Sequence, residues 1–259
     1  MRPANPNQRG LQTFAGVMFL PNTGAVGTGA GLGVWNVTGA PTITHPAPTS
    51  TSLATQFSRT VYTEIGATNN QVLGPVGANY QFWKGNAANM GGFYFAAMFT
   101  IDAWNNDAGR LFVGLASAAA GTPVNADAWP AGSDGCGLWH DSTMGANVLK
   151  FLHVDNGTMD TSQAVTGATL AAGQGFLWEI WGYPNQQSVI NTNHRLTSIN
   201  TGLKIDWNVI GGGPRIGVFC APQVTMSNGT DATAGHFGIG VINCYAHTAP
   251  TPTTSLVVQ

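Results

Sequence analysis

Between Gly92 and Ile101 the apolar residues recur at every second position. Phe93, Phe95, Ala97, Phe99 and Ile101 form one series, and Tyr94, Ala96, Met98 and Thr100 form the other. A period of two sends alternate side chains to opposite faces of an extended chain, so the Phe series predicts one buried face of a β-sheet. No window sustains the i, i+3, i+4, i+7 apolar spacing of an amphipathic helix, and the strong helix formers Glu, Lys and Arg are scarce.

The rest of the chain follows the same pattern. Strands are expected over Arg110–Leu115, Gly137–Trp139, Leu149–Val154, Phe176–Tyr183, Val189–Leu196, Leu203–Ile210, Arg215–Cys220 and His236–Tyr245. In the last of these, Phe237, Ile239, Val241 and Tyr245 are expected on one face. Phe14–Leu20, Gly31–Trp35, Phe57–Ile65 and Tyr80–Trp83 read as further strands upstream. Gly, Pro, Asn, Asp and Thr clusters bound these runs, and Asn156-Gly157 and Asn228-Gly229 carry the hairpin dipeptide that supplies positive φ. The expected fold is all-β, a two-sheet antiparallel β-sandwich of the jelly-roll or concanavalin-like kind. A Gly-alternating stretch, Gly27–Gly33, and a Pro/Thr-rich one from Pro41 to Ser52 mark residues 1–52 as an extended N-terminal arm and linker. The sandwich domain then spans 53–259.

Composition narrows the function. Charged residues are 8% of the chain, where about 25% is usual. Nine Lys+Arg against 11 Asp+Glu leave no basic footprint for nucleic acid. No run approaches 18 apolar residues, so no membrane insertion is expected. Met1–Asn7 lacks the apolar core of a secretory signal. Cys136, Cys220 and Cys244 are too widely spaced for a disulfide framework or a CxxC metal pair. They read as three buried thiols, with a Cys220–Cys244 bridge as the alternative. A surface so poor in charge suits a fixed assembly or a neutral ligand.

The order of segments from about Tyr62 onward resembles a β-sandwich domain of tail-fibre-like and other structural proteins of tailed bacteriophages. The residues that carry the resemblance are Gln81-Phe82-Trp83-Lys84-Gly85-Asn86, Gly91-Gly92-Phe93-Tyr94-Phe95 and Arg110-Leu111-Phe112-Val113-Gly114-Leu115. Thr122-Pro123-Val124-Asn125, Asn200-Thr201-Gly202, Arg215-Ile216-Gly217-Val218 and Gly238-Ile239-Gly240-Val241 follow in order. These are fold signatures. They imply a virion location after synthesis in the bacterial cytoplasm, a homotrimer, and attachment to other virion proteins through the arm. A start at Met1 with only a short arm leaves room for a capsid decoration, cement or head-fibre role.

Glycoside hydrolysis needs paired carboxylates, and the chain has two Glu, Glu64 and Glu179. Glu179 lies in Trp178-Glu179-Ile180-Trp181, as a pKa-raised acid or as a sheet residue paired to an Arg or facing solvent. Asp102-Ala103-Trp104-Asn105-Asn106-Asp107 offers oxygen ligands and an aromatic platform. Sugar hydroxyls need such polar partners and the sugar C–H face needs such a ring. Trp104, Asn105, Asn106, Asp107 and Trp129 are therefore the expected ligand-binding residues. Trp139-His140-Asp141 invites a triad reading, but no G-x-S-x-G turn accompanies it. The six His show no metal-binding spacing, and His153 and His194 fall inside strand patterns. No catalytic residue, metal or cofactor is expected. The expected function is a virion structural protein that binds a host-surface polysaccharide, with a polysaccharide depolymerase as the lesser alternative.

Overall fold

The computed structural model describes residues 14–19, 35–39, 41–51, 56, 58–63, 72–77, 91–104, 109–119, 121–124, 126–145, 147–182, 191–210, 218, 220–228 and 236–247. Fifteen strands lie among them, in two antiparallel sheets. The first sheet runs β13 (Lys204–Ile210), β12 (Asn191–Ser198), β11 (Gln174–Gly182), β6 (Phe93–Ala103), β15 (His236–His247), β4 (Thr60–Thr63) and β3 (Thr42–Thr44). Its eighth strand, β1 (Phe14–Phe19), pairs with the far end of β15. The second sheet runs β10 (Thr158–Thr169), β9 (Val148–Asp155), β8 (Gly135–His140), β7 (Arg110–Ala116), β14 (Ala221–Ser227), β5 (Val72–Gly77) and β2 (Trp35–Thr38). The all-β sandwich expected from the strand pattern is the observed fold.

Its centre is the Phe series of β6. Phe93, Phe95, Ala97, Phe99 and Ile101 are all at most 2% exposed, whereas Tyr94 and Met98 on the other face keep partial access to solvent. Phe95 packs on Trp178 at 5.2 Å and Phe99 on Phe176 at 5.4 Å, both from β11. The second sheet meets them with Leu111, Val113, Leu115, Leu138, Phe151 and Val224. Each ring buried in this way contributes about 1.5–3 kcal/mol.

A second, smaller core covers the outer face of the second sheet. Phe112, Ala116, Trp139, Leu152 and Val154 face outward from β7, β8 and β9, and Val124 and Trp129 of the flap formed by residues 117–134 cover them. Gln223 of β14, fully buried, holds the flap down. Its Nε2 donates to the Ala118 carbonyl at 2.9 Å, and its Oε1 accepts the Gly121 N–H at 3.2 Å. Covered on both sides, β8 is buried at all six positions. Gly114 and Gly137 pair across β7 and β8, and the Phe112 ring lies over both.

The two Asn-Gly hairpin dipeptides fare differently. Asn156 and Gly157 turn from β9 to β10 with φ of 50° and 81°; Gly229 lies outside the described residues. Within residues 1–52, β1, β2 and β3 pair with β15, β5 and β4. Residues 45–51 do run without regular structure, as the Pro/Thr-rich composition predicts. Most of the strand expected over Arg215–Cys220 lies outside the described residues, and β14 follows it at Ala221–Ser227. Strict alternation in the last strand is interrupted, since Ile239 pairs with Phe99 and Val241 with Met98, a bulge at Gly240. Cys136 and Cys220 are both buried in the core between the sheets, and the Cys244 side chain lies outside the described ones. The strand read over Tyr80–Trp83 lies outside the described residues.

A Cβ at Gly114 would run into the Cys136 carbonyl and stand 2.8 Å from the Gly137 Cα and 2.9 Å from Phe112 Cζ. Gly114→Ala should therefore cost about 1–3 kcal/mol in urea unfolding. A gain of up to about 1 kcal/mol, the usual result where alanine fits the backbone, would mean that the two glycines are not closely packed.

Candidate functional site

One end of the sandwich gathers the end of β6, the loop between β8 and β9, and part of the flap. Trp104 is the first residue beyond β6. Its indole is partly buried against the inter-sheet core and meets the His140 ring edge-on at 5.1 Å. His140, the last residue of β8, is 1% exposed, and its Nδ1 donates to the Val148 carbonyl at 2.5 Å. Burial holds its imidazolium below the usual histidine range, against the opposing pull of that carbonyl and of Asp141 and Asp127. Asn105, Asn106 and Asp107, which follow Trp104, lie outside the described residues. The base of their loop is pinned. Arg59 donates to Asp102 Oδ1 at 2.9 and 3.2 Å, and Thr100 Oγ1 donates to Oδ2 at 2.9 Å. Both oxygens of Asp102, which the sequence offers as cation ligands, are engaged in this way.

Trp129 is placed elsewhere. It is 7% exposed and wedged edge-on between Phe112 at 5.1 Å and Trp139 at 6.4 Å, with its ring over Gly135. Trp139 and His140 are consecutive in β8 and point to opposite faces, so Trp129 and Trp104 lie on opposite sides of the second sheet. The two indoles do not form a common platform, and the Trp129 ring serves the second core.

Trp139-His140-Asp141 is not a catalytic relay. The His140 Nδ1 is bound to backbone, and Asp141 Oδ1 accepts the Thr143 N–H at 2.8 Å and the Thr143 hydroxyl, closing a turn. Asp127 of the flap accepts two bonds from Arg110, at 2.7 and 3.1 Å, and the Ser142 N–H at 3.0 Å. Arg110 holds the Asp127 carboxyl well below the usual carboxylate range.

Glu179 stands on the outer face of the first sheet, 3% exposed, and accepts the Tyr94 hydroxyl at 2.8 Å. Its register partner on β12 is Arg195, which binds Asp206 of β13 through two bonds of 2.6 and 2.8 Å and lies 6.0 Å from the Trp181 ring. Glu179 is thus a sheet residue, but it is buried instead of facing solvent, and the bond to it comes from Tyr94 while Arg195 binds Asp206. Tyr94, Arg195 and Asp206 could not be grouped with Glu179 from sequence, because only the register of four strands brings them together. Among the described residues no group of three His, Cys, Asp or Glu side chains is placed to hold a metal.

The Asp127 contacts predict a tether between flap, β7 and the loop after β8. Asp127→Asn should lower stability at pH 7 by about 1–2 kcal/mol and speed proteolytic cutting within 117–134. The sign with pH follows from the lowered carboxyl. The stabilisation is complete above about pH 4, the unfolded value, and is lost as pH falls below it. The difference from wild type should accordingly shrink in acid. Equal stability and equal cutting at pH 7 would show that the contact tethers nothing.

No family model matches the sequence, and no curated protein does. In structure the chain is similar to a protein of unknown function from Shewanella oneidensis, at 12% identity and a TM-score of 0.56 over 95% of this chain and 91% of that one. It is similar to arcelin-5, a lectin-like defence protein of Phaseolus vulgaris, at 10% identity and a TM-score of 0.56 over 90% and 98%. It is similar also to the lectin UEA-II, solved in complex with galactose, at 10% identity and a TM-score of 0.54 over 90% and 98%. The chain has the β-sandwich fold of the legume lectins.

Proposed function

We propose that this protein is a non-catalytic glycan-recognition module displayed on a bacteriophage particle, tail-fibre-like and trimeric. Its contact surface is the end of the sandwich that carries Trp104, with Asn105, Asn106 and Asp107 next in sequence. The observation that carries the glycan reading is the extent of the structural match, since the similarity to lectins covers nearly all of their chains, one of them bound to galactose.

Local chemistry supports the same end of the molecule. The Trp104 indole is half-buried and seated edge-on against His140, so its orientation is set before any ligand arrives. A ring held in this way stacks on a sugar C–H face at little cost in side-chain entropy. Two amides and a carboxylate follow it directly in sequence, and these are the groups that bind paired hydroxyls. The virion reading rests on the resemblance of the segment order. The low charge, 9 Lys+Arg and 11 Asp+Glu, fits the charge-depleted centres of subunit interfaces.

A glycan array with the purified protein should return bound host-surface glycans. Trp104→Ala should then weaken binding at least tenfold, about 1.4 kcal/mol, without changing the melting curve. Binding that survives Trp104→Ala would move the site away from this loop, and an array with no hits would remove the glycan reading. Immunogold labelling of particles tests the location. Gold at the tail supports adsorption, gold over the head replaces it with capsid decoration, and unlabelled particles end the virion reading.

A further inference from the structure

An antiparallel sheet with one wet side carries polar residues on that side. The outer face of the first sheet departs from this. Paired outward positions of β6 and β11 place Tyr94 opposite Trp181 and Met98 opposite Leu177, all four half-buried. Between the two pairs lie Ala96 and the buried Glu179. Apolar side chains gathered on an outward face mark a contact surface. Building on the glycan reading, we propose that this face is a second binding surface, which takes an extended neutral polysaccharide across β6, β11, β12 and β13.

The register of four strands builds a row. Trp181 stands opposite Tyr94 on one side and Asn193 on the other, and Asn193 stands opposite Asn208. Two rings and then two amides therefore lie side by side, about 14 Å from end to end at the usual strand spacing. A chain of sugars laid along this row meets the rings with its C–H faces and the amides with its hydroxyls. Neighbouring side chains fix the rings. Tyr94 donates its hydroxyl to Glu179 at 2.8 Å. Arg195 lies 6.0 Å from the Trp181 ring centre and donates to Asp206 at 2.6 and 2.8 Å. Rings held in this way lose little side-chain freedom on binding, and strands keep them at a fixed spacing.

The charges select the polymer. Beside the row, Arg195 and Lys204 are matched by Glu179 and Asp206 on the same face, which favours neither a polyanion nor a polycation. A protein partner laid here would take the Arg195–Asp206 pair, now 32% and 48% exposed, out of water at a cost. Sugar hydroxyls donate to Asp206 and accept from Arg195, so the pair stays hydrogen-bonded under a glycan. The second sheet offers no such surface on its own outer side at β7, β8 and β9, because the flap of residues 117–134 covers the rings there.

The test is biolayer interferometry of the whole chain on immobilised galactomannan, mannan and β-glucan, with alginate as the acidic polymer. Wild type should bind a neutral polymer. Trp181→Ala and Asn193→Ala/Asn208→Ala should each weaken that binding about tenfold without changing the melting curve. Should Trp181→Ala fail to fold, the amide variant decides, since Asn193 is half-buried and Asn208 exposed. Weaker binding in these variants and in Trp104→Ala supports both surfaces. If Trp104→Ala binds as wild type does while the outer-face variants do not, the outer face stands and the loop end falls. If the outer-face variants bind as wild type does while Trp104→Ala does not, the loop end stands and the outer face is overturned. Wild type that binds no polymer, or prefers alginate, overturns the outer face and leaves the loop end to the glycan array.

Discussion

The fold depends on the burial of one face of β6. The strand is hydrogen-bonded on both sides, to β11 and β15, so its backbone is satisfied wherever its side chains go. Alternation then presents Phe93, Phe95, Phe99 and Ile101 to the second sheet as an unbroken apolar row. Placing those rings in water would forfeit several kcal/mol, more than half the net stability of an ordinary domain. The second sheet is therefore obliged to lie across them. Its own outer face is apolar in turn, and the flap of residues 117–134 closes it. The molecule is layered by successive coverings of this kind.

In such a molecule the few charges act as ties. Among the described residues Arg59, Arg110 and Arg195 each engage an aspartate, Asp102, Asp127 and Asp206, and each pair joins segments far apart in sequence or neighbouring strands. The first two arginines are nearly buried and the third pair is open to solvent, so the first two hold position while the third contributes little. Neutral polar groups do similar work inside. Gln223 ties the flap to β14, and the His153–His194 contact spans the two sheets. Net charge is not needed for any of these contacts.

What the sequence displayed was the inner face. β6, β7, β9, β11, β12 and β13 were legible because their buried positions alternate or run apolar. β10 was not, since it is an edge strand in which Ser162, Gln163, Ala164 and Thr166 are exposed, and among its described side chains only Val165 and Ala168 are buried. β14 went unread for the opposite reason. Gln223, Thr225 and Ser227 sit at positions that alternation assigns to solvent, yet all are buried beside the flap. Polar residues under a covering loop look like a turn in a one-dimensional reading, and Pro222 strengthened that impression. β5, Val72–Gly77, with two glycines and a proline in six residues, gave the same false signal.

Candidate sites are less legible than strands for a related reason. Trp104 and Trp129 look alike in sequence, each an indole beside polar or turn-forming residues. Their fates differ because Trp104 follows the end of an inner strand, whereas Trp129 belongs to a flap whose apolar residues are drawn onto an apolar sheet face. A ring is available to a ligand only where no layer of the same chain claims it. That depends on which elements cover which faces, a property of topology that no local motif encodes. The same holds for the histidine pair, whose members are 41 residues apart and lie on strands of different sheets. Each was recognisable alone as a strand histidine, and the bond between them exists only in the fold.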